Sequence, residues 1–296
     1  MASKYYAAEQ ATGTNKEDLW DVITDVDPQN TYLMTTLGTV KVSNVLHQWP
    51  NDSIGTISAV EGEYEGFTPD YADGSTLTRS TNYTSLIHKS FQVTETEIAV
   101  EQAGYSDRLN YEQQDAMVQW KNAAEYALIR STLACGNGST VGKQMKGIEA
   151  WSSTLHTAHS GLSLDETKLN DHFGNAYTQG IEIDTVLVNK VLKRRISSWT
   201  QPNTRNVSAE SAAVYAYVDT YFSDFGKVDI VKHRYMQTGD EDLLGIQSKH
   251  IKIGLLRRPK FEEIAKTADA RRGYIVGELT VQVGHEKAVL YVENLN

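Results

Sequence analysis

The chain has 296 residues, 40% hydrophobic and 22% charged, with a formal net charge of -10. That length supports one large domain or two modest ones with a real core, and the negative charge argues against a protein that grips nucleic acid by its phosphates. A single cysteine, Cys135, excludes an internal disulfide framework and a Cys-rich metal site, and no run of ~18 apolar residues is present to span a membrane.

In chain order, Met1 to Gln10 lacks the basic region and apolar run of a secretory signal, and residues 1–14 read as a patternless N-terminal arm. Asn15 is placed to cap a short helix carrying Leu19, Trp20, Val22, Ile23 and Val26, which Pro28 ends. Thr31–Leu37 is a compact apolar patch, and Val40–Trp49 has strand character. The charge is uneven: residues 1–100 hold 5 Lys+Arg against 14 Asp+Glu, whereas from Lys190 onward 17 basic residues face 13 acidic ones. An acidic front and a basic back are complementary between copies, and equally serve as solvated faces.

From Asn51 to about Val100 the pattern predicts a long hairpin. The first limb, Ile54–Phe67, is rich in Gly, Ser and Glu. Turn formers follow at Thr68-Pro69-Asp70 and Asp73-Gly74-Ser75. The return limb alternates, with Tyr83, Ile87, Phe91 and Val93 on one side and Thr84, His88, Ser90 and Gln92 on the other. A two-stranded ribbon with one thin apolar face is marginal alone in water. It must therefore lie on something else, either its own parent domain or a neighbouring subunit.

Tyr105–Cys135 is the longest predicted helix, with Met117, Trp120, Ala124, Leu128 and Ser131 as one buried stripe and Gly136 and Gly138 as stops. Ala123, Ala124 and Ala127 keep that face slim enough for a close neighbour. Gly142–Trp151 then reads as turn and strand, Leu164–Gln179 as a helix capped by Ser163, Thr185–Val188 as a strand and Lys190–Trp199 as a basic helix. Ala213–Thr220 and Lys227–Arg234 flank a turn at Ser223–Gly226 as an antiparallel pair. Strands dominate the rest: His250–Leu256, Tyr274–Val283 with Ile275, Leu279, Val281 and Val283 on one face, and Ala288–Val292.

Candidate chemistry is thin. Gly136–Lys143 imitates a phosphate-binding loop but has the wrong spacing, Gln144 in place of the hydroxyl residue, and a helix before it instead of a strand. His156, His159 and His172 fall in a Ser/Thr-rich stretch without a carboxylate at motif spacing, and so read as surface rather than a metal set. Cys135 at a helix end has no positive dipole to activate it and reads as a small buried or semi-buried residue. Glu61, Glu63 and Glu65 lack the order of a calcium loop and fit charges that block wrong edge pairing. No catalytic, cofactor or metal constellation emerges.

With its parts in this order, the chain resembles the major head proteins of tailed bacteriophages with the Hong Kong 97-type fold, an α+β architecture. Local segments support the resemblance: His47-Gln48-Trp49 before the hairpin, with Gln48 where Glu is usual; Met145–Trp151; Asp224–Met236; and Thr267–Ala270 with Glu278-Leu279-Thr280 and Glu286-Lys287-Ala288. The resemblance implies an N-terminal arm and incoming strand (1–50), an E-loop hairpin (51–100), a spine helix with part of a peripheral P-domain (101–144), an axial A-domain (145–245), and return strands of the P-domain ending near the A-domain (246–296). It further implies a non-enzymatic subunit, without cofactor, that forms hexamers and pentamers of an icosahedral shell around double-stranded DNA in a virion. Such a shell is assembled in the host bacterial cytoplasm, here with a separate scaffolding protein, a portal and decoration proteins as partners. An acidic wall suits a container that must not trap its DNA.

Expected interface residues are Trp49, Tyr64, Phe67 and Tyr83 for hairpin docking, since aromatic side chains are preferred anchors. Glu61, Glu63 and Glu65 would face a basic neighbour, for which Arg194, Arg195, Arg257, Arg258, Arg271 and Arg272 are candidates. No Lys occurs between Lys41 and Lys89, so the hairpin tip cannot supply the lysine that cross-links some related shells. A nanocompartment shell of the encapsulin type is the nearest alternative, and a small metal-dependent hydrolase using His156 and His159 the rival from another class.

Overall fold

The computed structural model describes residues 31–52, 62, 64–68, 77–100, 107–136, 142–200, 220–236, 241–266 and 268–295. The predicted helix at 15–28, Glu61, Glu63, Gly138 and the turn residues 69–75 lie outside the described residues. Helix α1 (Tyr32–Thr36) forms in the apolar patch and buries Leu33. The predicted strand at 40–49 is two strands in different sheets, β1 (Gly38–Lys41) and β2 (Leu46–Asn51).

The predicted hairpin is also divided. β3 (Thr78–Tyr83) pairs antiparallel with β2 from Leu46↔Tyr83 to Asn51↔Thr78. After Thr84 the chain enters β4 (Ser85–Thr94), followed by the short helix α2 (Glu95–Ala99). β4 is an edge strand of the subunit's own four-stranded sheet, and Ile87, Phe91 and Val93 face that subunit's core. The apolar face of the return limb is thus covered internally.

Helix α3 (Arg108–Arg130) begins where the Asp107 carboxylate accepts from the Leu109 and Asn110 N–H groups. Trp120, Ala124 and Leu128 are fully buried along it and Met117 packs alongside, as the spacing predicts. The helix stops earlier than Cys135, because Ser131 turns extended and Ala134 pairs with Gln144 in an antiparallel bridge. The Ser131 carbonyl also accepts from the Gly147 N–H at 2.8 Å. Only glycine fits at 147, since a Cβ there would lie 2.6 Å from the Ile129 carbonyl oxygen. Cys135 is exposed rather than buried.

The segment predicted as turn and strand ends in a helical turn, α4 (Ile148–Trp151). β5 (His156–Leu162) occupies the stretch read as a Ser/Thr-rich loop, and α5 (Glu166–Thr178) follows with Asp165, not Ser163, as its cap. Next come β6 (Thr185–Val188), α6 (Lys190–Thr200), β7 (Thr220–Ser223), β8 (Gly226–Lys232) and β9 (Glu241–Ile246). Two 14-residue strands, β10 (Ile251–Ile264) and β11 (Ala270–Val283), precede β12 (Val289–Leu295).

The four-stranded sheet runs β1-β10-β11-β4 and the six-stranded sheet β5-β12-β9-β6-β8-β7. Trp120, Leu128, Ile275, Leu279 and Val281 join the first sheet to α3 in one core. Leu169, Phe173, Val188, Leu192 and Ile196 join the second to α5 and α6 in another. β12 carries the last described residues into the six-stranded sheet between β5 and β9.

Candidate assembly interface

The best-defined polar construction is at the root of the β2–β3 ribbon. Asn82 has no solvent exposure. Its Nδ2 donates to the Val281 carbonyl at 2.8 Å and the Lys146 carbonyl at 3.1 Å, while its Oδ1 accepts from the Lys146 N–H at 2.7 Å. Thr84 donates its hydroxyl to the buried Glu278 carboxylate at 2.6 Å, and Thr280 donates to the Tyr83 carbonyl at 2.8 Å. Ser85 Oγ accepts from the Met145 N–H at 2.6 Å. These bonds tie the β3–β4 corner to β11 and to the chain following α3. Every buried polar side chain named here has a partner, as a buried polar cluster requires.

Trp49 belongs to this root rather than to an exposed docking surface. It is 5% exposed, its indole N–H donates to the Val283 carbonyl at 2.9 Å, and its ring lies 5.6 Å from that of Trp151. Tyr83 is half-buried opposite Leu46 in the same ladder. Farther out, Tyr64 is 73% exposed, Phe67 46% and Leu77 62%, with Glu65 also exposed. These are large apolar side chains left in water on the stretch between β2 and β3.

The six arginines do not form one surface. Arg194 and Arg195 lie on α6, where Arg195 reaches the Glu241 carboxylate at 3.9 Å. Arg257 and Arg258 are exposed on β10, with Arg257 3.9 Å from Glu262. Arg271 and Arg272 sit roughly 20 Å along β11 from the residue opposite Arg257. There Arg271 and Lys266 both donate to the Glu95 carboxylate, at 3.4 and 3.0 Å, and Lys266 foremost holds that carboxyl below the ordinary glutamate range.

Two internal polar networks were not legible beforehand. The buried Glu125 carboxylate on α3 accepts from the Leu33 N–H at 2.6 Å and the Met34 N–H at 3.0 Å, and lies 3.2 Å from His233 Nε2. It caps α1 and fixes where the N-terminal residues join the body. Arg130, at the other end of α3, bonds the Tyr235 carbonyl, Glu149 and Asp242, and Tyr291 donates to Asp242 at 2.9 Å. Burial pushes both the Glu149 carboxyl and the Tyr291 phenol up.

The three histidines separate. His156 lies 3.4 Å from Glu293, whereas His159 and His172 meet Nε2 to Nε2 at 2.9 Å. His172 is buried, and burial first and His159 second depress its pKa to about 4. Among the described residues no group of three or more His, Cys, Asp or Glu side chains is placed to hold a metal ion, and no described helix is long and apolar enough to cross a membrane.

Solved structures share this arrangement at low sequence identity. The chain superposes on a Cyanophage A-1(L) capsid protein with a TM-score of 0.72 at 10% identity, covering 98% of this chain and 99% of that one. For the capsid of a native GTA particle the TM-score is 0.69 at 12% identity, with 100% of each chain covered. For the SrpI encapsulin of Synechococcus elongatus PCC 7942 it is 0.61 at 11% identity, covering 100% and 97%. These likenesses establish the Hong Kong 97-type fold. A search of curated protein sequences finds no significant match. The family model described as SU10 major capsid protein matches residues 6–296, almost the entire chain, and the protein therefore belongs to the SU10 major capsid protein family as a shell-forming structural subunit.

Proposed function

We propose that the ribbon beyond its clamped root lies across an adjacent copy of the subunit, and that this contact, repeated in hexamers and pentamers, closes an icosahedral head around double-stranded DNA. The observation that carries the reading is the outward gradient along the ribbon. Trp49 and Asn82 are locked into the body, while Tyr64, Phe67 and Leu77 stand in water. A rigid root presenting exposed aromatic anchors suits docking, because little ordering entropy remains to be lost on contact. The subunit works by assembly rather than catalysis. Its peripheral P-domain is centred on α3 and the four-stranded sheet, and its axial A-domain on the six-stranded sheet. A separate scaffolding protein serves it. A portal and decoration proteins complete the virion after assembly in the host cytoplasm.

The test is the double variant Tyr64→Ser/Phe67→Ser. Its subunit is expected to melt like the parent but to form few or no shells by negative-stain electron microscopy, with scaffold supplied. Normal shell yield would overturn the proposal. Nucleic acid inside purified particles separates a phage head from a nanocompartment of the encapsulin kind.

A further inference from the structure

The geometry points to a two-histidine site for a divalent transition-metal ion, Cu(II) or Ni(II), between His159 on β5 and His172 on α5. The two Nε2 atoms face each other at 2.9 Å, with the ring centroids 5.1 Å apart and the ring planes at 85°. A metal–imidazole bond is about 2.0–2.1 Å long, so an ion held by both nitrogens at this spacing subtends about 90°. That is the angle between adjacent corners of the tetragonal shell that Cu(II) and Ni(II) favour. The tetrahedral shell of zinc would need the nitrogens about 3.3 Å apart.

Both ligands sit on elements that are already fixed. In β5, His156, Thr157 and Ala158 are in register with Tyr291, Val292 and Glu293 of β12. Helix α5 is capped by the Asp165 carboxylate, and its Leu169, Phe173 and Ala176 are buried in the second core. Side chains on packed elements lose little freedom when an ion arrives.

The chemistry of the pair agrees. His172 is 6% exposed, and burial and His159 hold it unprotonated at neutral pH, the form that coordinates. In the free pair one ring donates its N–H to the other. On binding, that ring carries its proton on Nδ1 instead of Nε2, both Nε2 lone pairs turn to the metal, and no net proton is released. The Asp171 carboxylate, which favours positive charge at His172, favours a cation there as well. Beside His172 a cavity of about 200 Å³, with Thr157, Asn175 and Gln179 in its lining, offers room and polar partners for waters that complete the shell. The bound ion pins β5, an edge strand of the six-stranded sheet, to α5.

Titration of the full-length subunit with Cu(II), followed by electron paramagnetic resonance, tests this. The first equivalent bound is expected to show hyperfine splitting from two imidazole nitrogens and to raise the melting temperature. His159→Gln and His172→Gln should each weaken that site by roughly tenfold or more, because losing one ligand removes the chelate, and should cancel the thermal gain. Calorimetric titration with Ni(II) should show the same dependence. His159 is only half-buried, so His159→Gln keeps the test valid if His172→Gln fails to fold. His156→Gln, which changes the histidine beside Glu293, should leave the site intact. Unchanged affinity in His159→Gln, equal weakening by His156→Gln, or a parent spectrum without paired imidazole nitrogens would overturn the inference.

Discussion

Replacing Asn82 by alanine removes the central fastening of the ribbon root. The half-buried Lys146 N–H then loses its acceptor at 2.7 Å beside the fully buried position 82, while the Lys146 carbonyl keeps the Trp151 indole N–H at 3.2 Å. An orphaned buried donor costs about 1–3 kcal/mol, and the two lost Nδ2 bonds add roughly one more, so the expected destabilisation is about 2–4 kcal/mol. Urea titration of the unassembled subunit measures it. The informative comparison is Leu192→Ala, expected to cost a similar ~2–5 kcal/mol but in the core of the six-stranded sheet, away from the ribbon. At equal remaining stability Asn82→Ala should form far fewer shells than Leu192→Ala, because its ribbon is no longer aimed. A cost below about 0.5 kcal/mol would refute the bonding argument, and equal shell yields for the two variants would refute the aiming argument.

Other expectations follow from the same geometry. Because burial and His159 keep His172 neutral in the folded chain, the unfolded chain takes up its proton first as the pH falls. Stability should therefore drop as the pH is lowered from the ordinary histidine value of 6.5 toward about 4. His172→Gln should flatten that part of a melting-temperature profile, and an unaltered slope would count against the assignment. Gly277→Ala would place a Cβ 2.4 Å from Trp120 Cζ2 and 3.2 Å from the Pro259 Cα, and should destabilise the subunit by about 1–3 kcal/mol in denaturant titration. Boiled shells should run as monomers on denaturing electrophoresis, since no lysine lies between Lys41 and Lys89; a covalent ladder would contradict this.

Much of the frame was legible from local pattern. Helix α3 announced itself because Trp120, Ala124 and Leu128 recur on one face, and β11 because Ile275, Leu279, Val281 and Val283 alternate inward. β5 and β9 were not read. The first is polar for an edge strand, and the second, Glu241–Ile246, is too short for its buried run to declare a period.

The sequence by itself determined which faces must leave water, where turns interrupt them, and that the hairpin tip carries no lysine. It could not determine what covers each face. The alternation of Ile87, Phe91 and Val93 suits a ribbon resting on a neighbour as well as a strand in the subunit's own sheet, because periodicity records that one side is buried and not by whom. Tertiary structure decided that β4 pairs with β11, so that face is covered within the subunit. It likewise decided the root. Asn82 bonds residues 64 and 199 positions away, and pairing across such distances depends on the folded path of the whole chain, which no local spacing encodes.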